Sequence, residues 1–250
     1  MTDEARPVRL DLCTWPEIEA YLGESDGIVL PVGSTEQHGP MGLIGTDALC
    51  AQAVAEGMAA RTETLVAPTL ALTPAPFNTR FPGTISLSEP LFEAVAEEVI
   101  QCLSAQGFGR IYVMNGHGAN LAPLRRISED ASANIRIRSW WDFEPINRLR
   151  RDYYGDWEGM HATPSEVAIT QALHRVVAPG DASEPPQKLS PEFISAHAGD
   201  KHGPPDEHKA QFPDGRVGSH SALARPEHGR TLLDAAIASA AFDYLDFLSA

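Results

Sequence analysis

Short apolar segments alternate along the chain with longer segments in which apolar residues recur at helical spacing. The strand candidates are residues 28–32, 64–72, 109–114 and 135–141, and the helix candidates are the segment after Asp47 and residues 89–106, 122–133 and 230–248. Alternation of this kind predicts an α/β fold with a mainly parallel sheet that helices cover on both faces.

Chemically reactive side chains follow the first predicted strand. Glu36 and His38 lie on a Gly- and Pro-rich turn, and residues two apart in extended backbone point to one side. Asp47 opens the next helical segment, with Thr46 as its expected N-cap. Because α/β folds bind ligands at the carboxyl ends of parallel strands, these side chains can share a cavity and hold metal ions. The structural alternative is that Asp47 only stabilises the helix N-terminus, while Glu36 is solvated and His38 satisfies a backbone carbonyl.

His117 follows the predicted strand 109–114 and stands between Gly116 and Gly118. Glycines on both sides let the backbone pass close to a ligand, and they equally suit a tight turn from strand to helix. The sequence leaves both roles of these glycines open, and His117 is either a ligand or a structural histidine.

A third cluster joins His161 to the start of another predicted helix. Thr163 and Glu166 match a capping box, and Pro164 occupies the first helical position. Glu166 therefore either caps its own helix or points across a cleft towards the other candidate ligands.

Four blocks of sequence carry a family resemblance. They are residues 31–40 with Thr46 and Asp47, residues 81–87, residues 115–120, and His161 with Glu166. Their order and spacing resemble the creatininase family of creatinine amidohydrolases over most of the chain, and residues 212–229 resemble the closing segment of that family. The resemblance implies a three-layer α/β/α fold with a mainly parallel central sheet and a metal-dependent amidohydrolase activity.

The resemblance also implies a dinuclear metal site and assigns its ligands. One ion would be held by Glu36, Asp47 and His117. The other would be held by His38, the same bridging Asp47, and Glu166. These ligands offer oxygen and nitrogen and no thiolate, which suits two divalent ions of zinc, manganese or iron.

Asp47 and His161 are the predicted catalytic residues. The hypothesis is that a hydroxide bridging the two ions attacks the carbonyl of a small cyclic amide, formamide or similar C–N bond. His161, which in the family pattern faces the substrate, then gives a proton to the departing nitrogen. An imidazole near its ordinary pKa of about 6.5 can do this at neutral pH.

Departures from the family pattern bear on the substrate. Met41 stands in a stretch where most members carry a histidine, which makes the predicted pocket wall more apolar. Creatininases follow the second motif with a tyrosine and a metal-binding glutamate, whereas this chain has Gly118 and Ala119. Glu166 must then supply the missing carboxylate, as in members that resemble formamide hydrolases of flavin and deazaflavin pathways and mycofactocin peptidases. These departures argue against creatinine itself as the substrate.

Three further residues are candidates for contact with substrate. Trp157 resembles a pocket tryptophan of creatininase, with a place in the core or at the rim as the alternative. Arg80 and Phe81 lie in a long Pro- and Gly-containing loop, residues 74–83, that can roof the cleft. The alternative for that loop is a solvated connection or a subunit contact.

Two other functions remain open. The same ions can serve ring opening or C–C cleavage of a sugar- or cyclitol-derived carbonyl compound, because activated water is not selective for nitrogen leaving groups. The other alternative is a non-catalytic member of the family that binds a metal or a metabolite. This last alternative is the weakest, because every candidate ligand and His161 are present.

Composition limits the partners. The chain has 250 residues, 43% of them hydrophobic, and a formal net charge of −15. We read residues 1–250 as a single domain, because no Pro/Ser/Gly-rich linker divides it. The acidic balance repels phosphate backbones and anionic membranes, so we expect a small-molecule substrate and no nucleic-acid or membrane partner. The family habit of forming hexamers implies a homo-oligomer.

The chain is expected to be cytoplasmic. No signal pattern opens it, and no apolar run approaches the roughly 20 residues that span a bilayer. Cys13, Cys50 and Cys102 are an odd and scattered set, which indicates reduced thiols.

Residues 179–218 are rich in Pro, Ser, Asp and His and carry His197, His202 and His208. These histidines lack the compact spacing of metal ligands. We therefore expect a solvated loop with a short helix near residues 191–198, which in the family's assemblies can pack between subunits.

Overall fold

A parallel sheet lies between two layers of helices in the computed structural model, which describes residues 7–199 and 201–250. The strands are β1 (Gly27–Val32), β2 (Leu65–Val66), β3 (Arg110–Asn115) and β4 (Asn134–Ser139). They lie in the order β2-β1-β3-β4, and each neighbouring pair is parallel. The expected α/β/α fold is confirmed.

Helices follow the strands in the alternation that the sequence predicts. They are α1 (Trp15–Leu22), α2 (Thr46–Thr62), α3 (Glu89–Ala105), α4 (Leu121–Asp130), α5 (Glu144–Tyr154), α6 (Pro164–Leu173), α7 (Pro191–His197), α8 (Pro205–Gln211) and α9 (Pro226–Ser249). Short 3-10 turns lie at Leu10–Leu12, Pro76–Asn78, Gly118–Asn120, Gly155–Trp157, Gly180–Ser183 and Ser221–Leu223. The bounds of α3, α4 and β4 agree with the predicted segments to within a few residues.

The two faces of the sheet build separate apolar layers, because successive side chains of a strand point to opposite faces. Ile28 and Leu30 of β1 pack with α1, α3 and α4. Val29 of β1 and Tyr112 of β3 pack on the other side with α2, α5, α6 and α9. Both faces of the sheet are therefore covered, and its strand ends remain the natural place for a site.

Three local expectations are wrong. The predicted strand 64–72 shrinks to β2, because Pro68 lacks an N–H for the ladder and interrupts regular pairing with β1. Thr46 is the first residue of α2 and not its cap, and its hydroxyl donates to the Leu43 carbonyl at 2.7 Å. The apolar residues of segment 230–248 predict a broad stripe that includes Phe242 and Leu245 and docks on the protein, but on α9 both of these side chains are exposed.

Residues 179–218 are more ordered than the sequence suggests. The short predicted helix is α7, and α8 is a second one that the sequence did not indicate. His208 of α8 is buried, and its ring lies 5.1 Å from that of Phe77 and 4.8 Å from that of His202. The expectation of a solvated loop is therefore wrong for this part of the segment.

Within the described ranges, no helix combines the length and the apolar character that a membrane crossing requires.

Candidate metal centre

The five predicted metal ligands converge at the carboxyl ends of β1 and β3. Glu36 and His38 follow β1, His117 follows β3, and Asp47 and Glu166 lie in the first turns of α2 and α6. All five side chains are buried. Segments far apart in sequence thus deliver three carboxylates and two imidazoles to one enclosed place.

The first group of ligands consists of Glu36, Asp47 and His117. His117 Nδ1 lies 3.2 Å from Glu36 Oε1 and 3.1 Å from Asp47 Oδ2. Donor atoms about 2.0–2.1 Å from one zinc ion at tetrahedral angles lie roughly 3.3 Å apart. These two separations suit a single shared cation, and all three donor atoms lie within 4.8 Å of one another.

The second group consists of His38, Asp47 and Glu166. His38 Nε2 lies 2.9 Å from Asp47 Oδ1 and 3.9 Å from Glu166 Oε1. Asp47 offers Oδ2 to the first group and Oδ1 to the second. One carboxylate thus connects the two groups, as a bridging ligand of two cations does.

Backbone carbonyls fix which nitrogen of each imidazole faces the carboxylates. His38 Nδ1 lies 3.1 Å from the Glu36 carbonyl oxygen, and His117 Nε2 lies 2.9 Å from that of Pro74. A carbonyl oxygen only accepts, so these nitrogens carry the hydrogens and donate them. In a neutral ring the opposite nitrogen then has a lone pair, and in both rings it faces the carboxylates.

The cluster is short of positive charge. Glu36 Oε1 and Asp47 Oδ2 are buried oxygens that accept no hydrogen bond from the described residues. Burial raises the pKa of Glu36 to about 8 and that of Glu166 to about 7. Burial opposes the charge on His38, but the carboxylates of Asp47, Glu166 and Glu36 together outweigh it and raise the pKa of His38 to about 10. Divalent cations would supply the missing charge and occupy the unpaired oxygens, so these residues fit the ions that the family implies.

His161 stands next to both groups. Its Nδ1 lies 3.7 Å from Glu36 Oε1, and its ring centroid lies 4.6 Å from that of His38. Its Nε2 donates to the Gln37 carbonyl at 2.7 Å, which leaves Nδ1 with the lone pair. Burial, reinforced by the neighbouring His38, lowers the pKa of His161 well below its usual value. The sequence-based assumption of an ordinary imidazole pKa is therefore wrong.

Glu166 takes both of the roles that the sequence left open. Its Oε1 accepts a hydrogen bond from the Thr163 backbone N–H, and its own N–H donates to Thr163 Oγ1 at 3.3 Å. The same Oε1 faces His38. The capping box thus holds the carboxylate at the helix start in the orientation that the site needs.

Two glycines bring Asp47 to the strand ends. A Cβ on Gly116 would lie 2.2 Å from the Asp47 carbonyl oxygen, and one on Gly33 would lie 2.3 Å from the Ala48 nitrogen. Only glycine permits so close an approach of helix α2 to these turns. Gly116 is therefore required for packing in addition to its place beside His117.

Asn78 and Gln37 surround the first group and were not among the predicted site residues. Asn78 Nδ2 donates to Glu36 Oε2 at 2.9 Å, and Gln37 Nε2 donates to Asn78 Oδ1 at 2.7 Å. Both side chains are buried. Asn78 belongs to the short turn Pro76–Asn78, which has no helical or strand period, so no sequence pattern could have indicated it.

A cavity of about 180 Å³ opens onto Asp47, His117, His161 and Glu166. Its other walls include Trp140, Trp141, Arg150 and Met160. Trp140 and Trp141 directly follow β4, so the rule that sites lie at strand carboxyl ends could have pointed to them. The cavity is small beside the roughly 300–1,000 Å³ of pockets for drug-sized ligands.

The four residues predicted to contact substrate lie elsewhere among the described residues, and none of them lines this cavity. Met41 is buried in an apolar cluster with Val167 and Ala168 of α6. Arg80 is exposed and pairs with Asp206, and the Phe81 ring lies under Lys209 Nζ. The Trp157 ring contacts His220 and Lys188. A role in substrate binding stays a prediction for all four.

Three comparisons with known proteins agree on the ancestry of the chain. The fold and the buried ligand groups define an α/β protein with a candidate dinuclear metal centre. The family model for creatininase, described as creatinine amidohydrolase, matches residues 11–242. The chain belongs to the creatininase family.

Curated relatives of the chain carry names that state different activities. The creatinine amidohydrolase of Pseudomonas putida is 30% identical over an alignment of 206 residues, and the match covers 71% of this chain and 79% of that protein. A mycofactocin precursor peptide peptidase of Mycobacterium tuberculosis is 34% identical over 126 residues, 46% of this chain and 50% of the peptidase. A 3-dehydro-scyllo-inosose hydrolase of Thermotoga maritima is 33% identical over 106 residues, 42% of this chain and 34% of that hydrolase.

Solved structures share the whole fold. A crystal structure of creatininase superposes with a TM-score of 0.80 at 24% identity and covers 97% of this chain and 98% of its own. A creatininase variant described as of zinc–zinc type gives a TM-score of 0.74 at 24% identity, with 97% and 99% covered. At this level of identity the likeness concerns the fold.

Proposed function

We propose that the protein is a hydrolase dependent on two divalent metal ions that cleaves a small cyclic amide, formamide or similar C–N bond. The observation that carries this proposal is Asp47, whose two carboxylate oxygens face two separate ligand groups. A single-metal or purely structural role would need only one of these groups. Zinc, manganese and iron all suit the oxygen and nitrogen donors.

Each ligand has a defined place in this proposal. Glu36, Asp47 and His117 would hold one ion, and His38, Asp47 and Glu166 the other. When bound, such a pair of ions activates a water molecule and polarises the carbonyl group of the substrate. The chain's own part is to orient these groups and to keep the site enclosed, which the buried ligands and the narrow cavity support.

His161 would move the proton. Its lowered pKa means that the ring is neutral at neutral pH, so it begins the reaction as a base and not as an acid. Nδ1 would take a proton from the attacking water and then deliver it to the departing nitrogen. The hydrogen bond from Nε2 to the Gln37 carbonyl holds the ring in this orientation and stabilises its protonated form.

The small cavity supports a small substrate, and it makes a long peptide a poor fit. Cleavage of a cyclitol-derived ketone is the second candidate, because one relative carries that activity in its name. The two candidates share the metal centre and differ in the product released. We further propose that copies of the chain associate, as the exposed Phe242 and Leu245 of α9 suggest.

One experiment tests the metal centre and the role of His161 together. Wild type, Asp47→Asn, His161→Asn and the exposed control His174→Asn are purified with zinc or manganese and analysed for metal content. A panel of lactams, formamides and cyclitol ketones is then assayed for ammonia, formate, amine or acid release. Asp47→Asn should lose both ions, whereas His161→Asn should keep them and lose turnover by at least about 100-fold.

The outcomes separate the alternatives. Fewer than about one ion per chain in supplemented wild type would contradict the dinuclear proposal and favour a non-catalytic binder. Full turnover in His161→Asn would remove His161 from the mechanism. Acid release from cyclitol ketones, with no amide in the panel cleaved, would favour the second candidate.

A further inference from the structure

The cavity beside the metal centre has one cationic side chain in its wall. Arg150, on α5, lines the cavity together with Trp140, Trp141 and the ligand Glu166. A guanidinium at this place is not needed for any step proposed above. We therefore consider which ligand of the cavity this positive charge would bind.

Contacts on three sides fix the guanidinium. Arg150 Nε donates to Glu158 Oε1 at 2.8 Å, and Nη1 donates to Asn147 Oδ1 at 2.8 Å. The centre of the guanidinium lies 5.9 Å from the Trp140 ring centroid. The side chain is thus held in one orientation before any ligand arrives, which lowers the entropic cost of binding.

These contacts leave some N–H groups of the guanidinium without an acceptor. Among the residues that the structure describes, Nη2 of Arg150 has no acceptor, and the side chain keeps 20% of its surface exposed. Trp140 also lines the cavity, and its buried indole N–H has no hydrogen-bond partner among those residues. Arg150 therefore keeps an unpaired charged donor in this wall, and the Trp140 ring beside it carries an unpaired donor that is buried.

Glu158 connects Arg150 to the helix that carries the candidate metal ligand Glu166. Ser165 donates to the same Glu158 oxygen that accepts from Arg150, and Ser165 precedes Glu166 in α6. If Arg150 served only to neutralise the Glu158 carboxylate, the N–H groups on one edge of its guanidinium would be enough. That role would not explain why Arg150 faces the cavity or why it lies beside a second unpaired donor.

We infer that Arg150 recognises a carboxylate, or a similar anionic group, on the substrate at the end of the cavity away from the scissile bond. This inference rests on the proposed metal centre and narrows its substrates to small anionic amides. Glu158 pairs with one edge of the guanidinium, and the N–H groups that remain form a planar fork that matches the two oxygens of a carboxylate.

Matched metal-binding probes test the inference without knowledge of the substrate. Butyrohydroxamic acid and the monohydroxamate of succinic acid share a hydroxamate and differ only in a terminal methyl or carboxylate. Valerohydroxamic acid and the monohydroxamate of glutaric acid form a longer pair. Each is titrated by calorimetry into the zinc-loaded wild type, Arg150→Gln, Arg150→Lys and the control Arg148→Gln, an exposed arginine of the same helix.

In wild type, the carboxylate should tighten binding about tenfold or more in at least one pair. Arg150→Gln should reduce that advantage to less than about threefold, Arg150→Lys should retain part of it, and Arg148→Gln should behave as wild type. Metal content and thermal unfolding are measured for every variant. If Arg150→Gln does not fold, Arg150→Lys takes its place in the comparison. A carboxylate advantage in Arg150→Lys equal to that of wild type would then contradict the inference.

Two results would overturn the inference, and they are distinguishable. If the neutral hydroxamates bind and the carboxylates give no advantage, or give one that survives in Arg150→Gln, the role of Arg150 is wrong and the metal centre stands. If no hydroxamate binds to wild type, the proposed metal centre is wrong and the inference falls with it.

Discussion

Asn78 determines where the Glu36 carboxylate points. It donates to Glu36 Oε2 at 2.9 Å and is itself held by Gln37, so Oε1 is left to face His117. Residues that orient metal ligands in this way typically change metal affinity by about 10–100-fold when they are removed.

We therefore expect Asn78→Leu to weaken metal binding by about 10-fold or more while the protein still folds. Competition with a coloured chelator measures the affinity, and circular dichroism checks the fold. Thr79→Ala, at the exposed next position, is the control and should bind as wild type does. Equal affinity of Asn78→Leu and wild type would mean that Glu36 is oriented by its own backbone.

At the residue scale, the sequence predicts where the candidate ligands lie better than it predicts where their neighbours lie. Glu36, His38 and His117 follow strands, and strand ends are readable from apolar runs. Asn78 and Arg150 come from a turn and a helix face, where position depends on how distant segments pack. Nothing in their local sequence could have placed them at the site.

At the scale of elements, the approach of α2 to the strand ends depends on Gly116. A Cβ at this position would lie 2.2 Å from the Asp47 carbonyl oxygen, so any side chain must displace the helix start that carries Asp47. From the sequence, the glycine at position 116 had two possible explanations, a close approach to a ligand or a tight turn. The structure adds a third explanation for this glycine, which is the close contact of its backbone with the backbone of α2.

Gly116→Ala should lower the free energy of unfolding by about 2 kcal/mol and reduce the bound metal below two ions per chain. Overpacking has no flexible side chain to relieve it here, because the contacted atom belongs to the backbone. Urea unfolding and elemental analysis give the two quantities. Gly203→Ala, whose Cβ would meet only Glu207 at 3.7 Å, is the matched control and should change neither. Normal metal content in Gly116→Ala would show that α2 can shift without loss of the site.

At the scale of the whole molecule, the fold was largely predictable and the segment 179–218 was not. The spacing of apolar residues in strands and helices is a local property of the sequence. It was enough to predict the layers of the fold and most bounds of its elements. The burial of His208 depends on Phe77, more than a hundred residues earlier in the chain, and composition alone suggested solvent. Long-range aromatic packing of this kind leaves no period in the sequence.

That burial makes stability depend on pH. Burial lowers the pKa of His208 to about 4 and that of His202 to about 3, against about 6.5 in an unfolded chain. Between pH 6.5 and 4 the unfolded state therefore binds more protons than the folded state. The free energy of unfolding then rises with pH, and acidification through this window removes stability.

His208→Phe should reduce the acid-induced loss of unfolding free energy between pH 7 and pH 4 by up to about 3 kcal/mol, because the buried group no longer takes up a proton on unfolding. A phenyl ring keeps the contacts with Phe77 and Phe212. Urea unfolding at four pH values gives the difference between the variant and wild type, in which the titration of shared carboxylates cancels. His174→Gln, at an exposed histidine, should follow the wild-type curve. Parallel curves for His208→Phe and wild type would mean that His208 is protonated in the folded protein without cost.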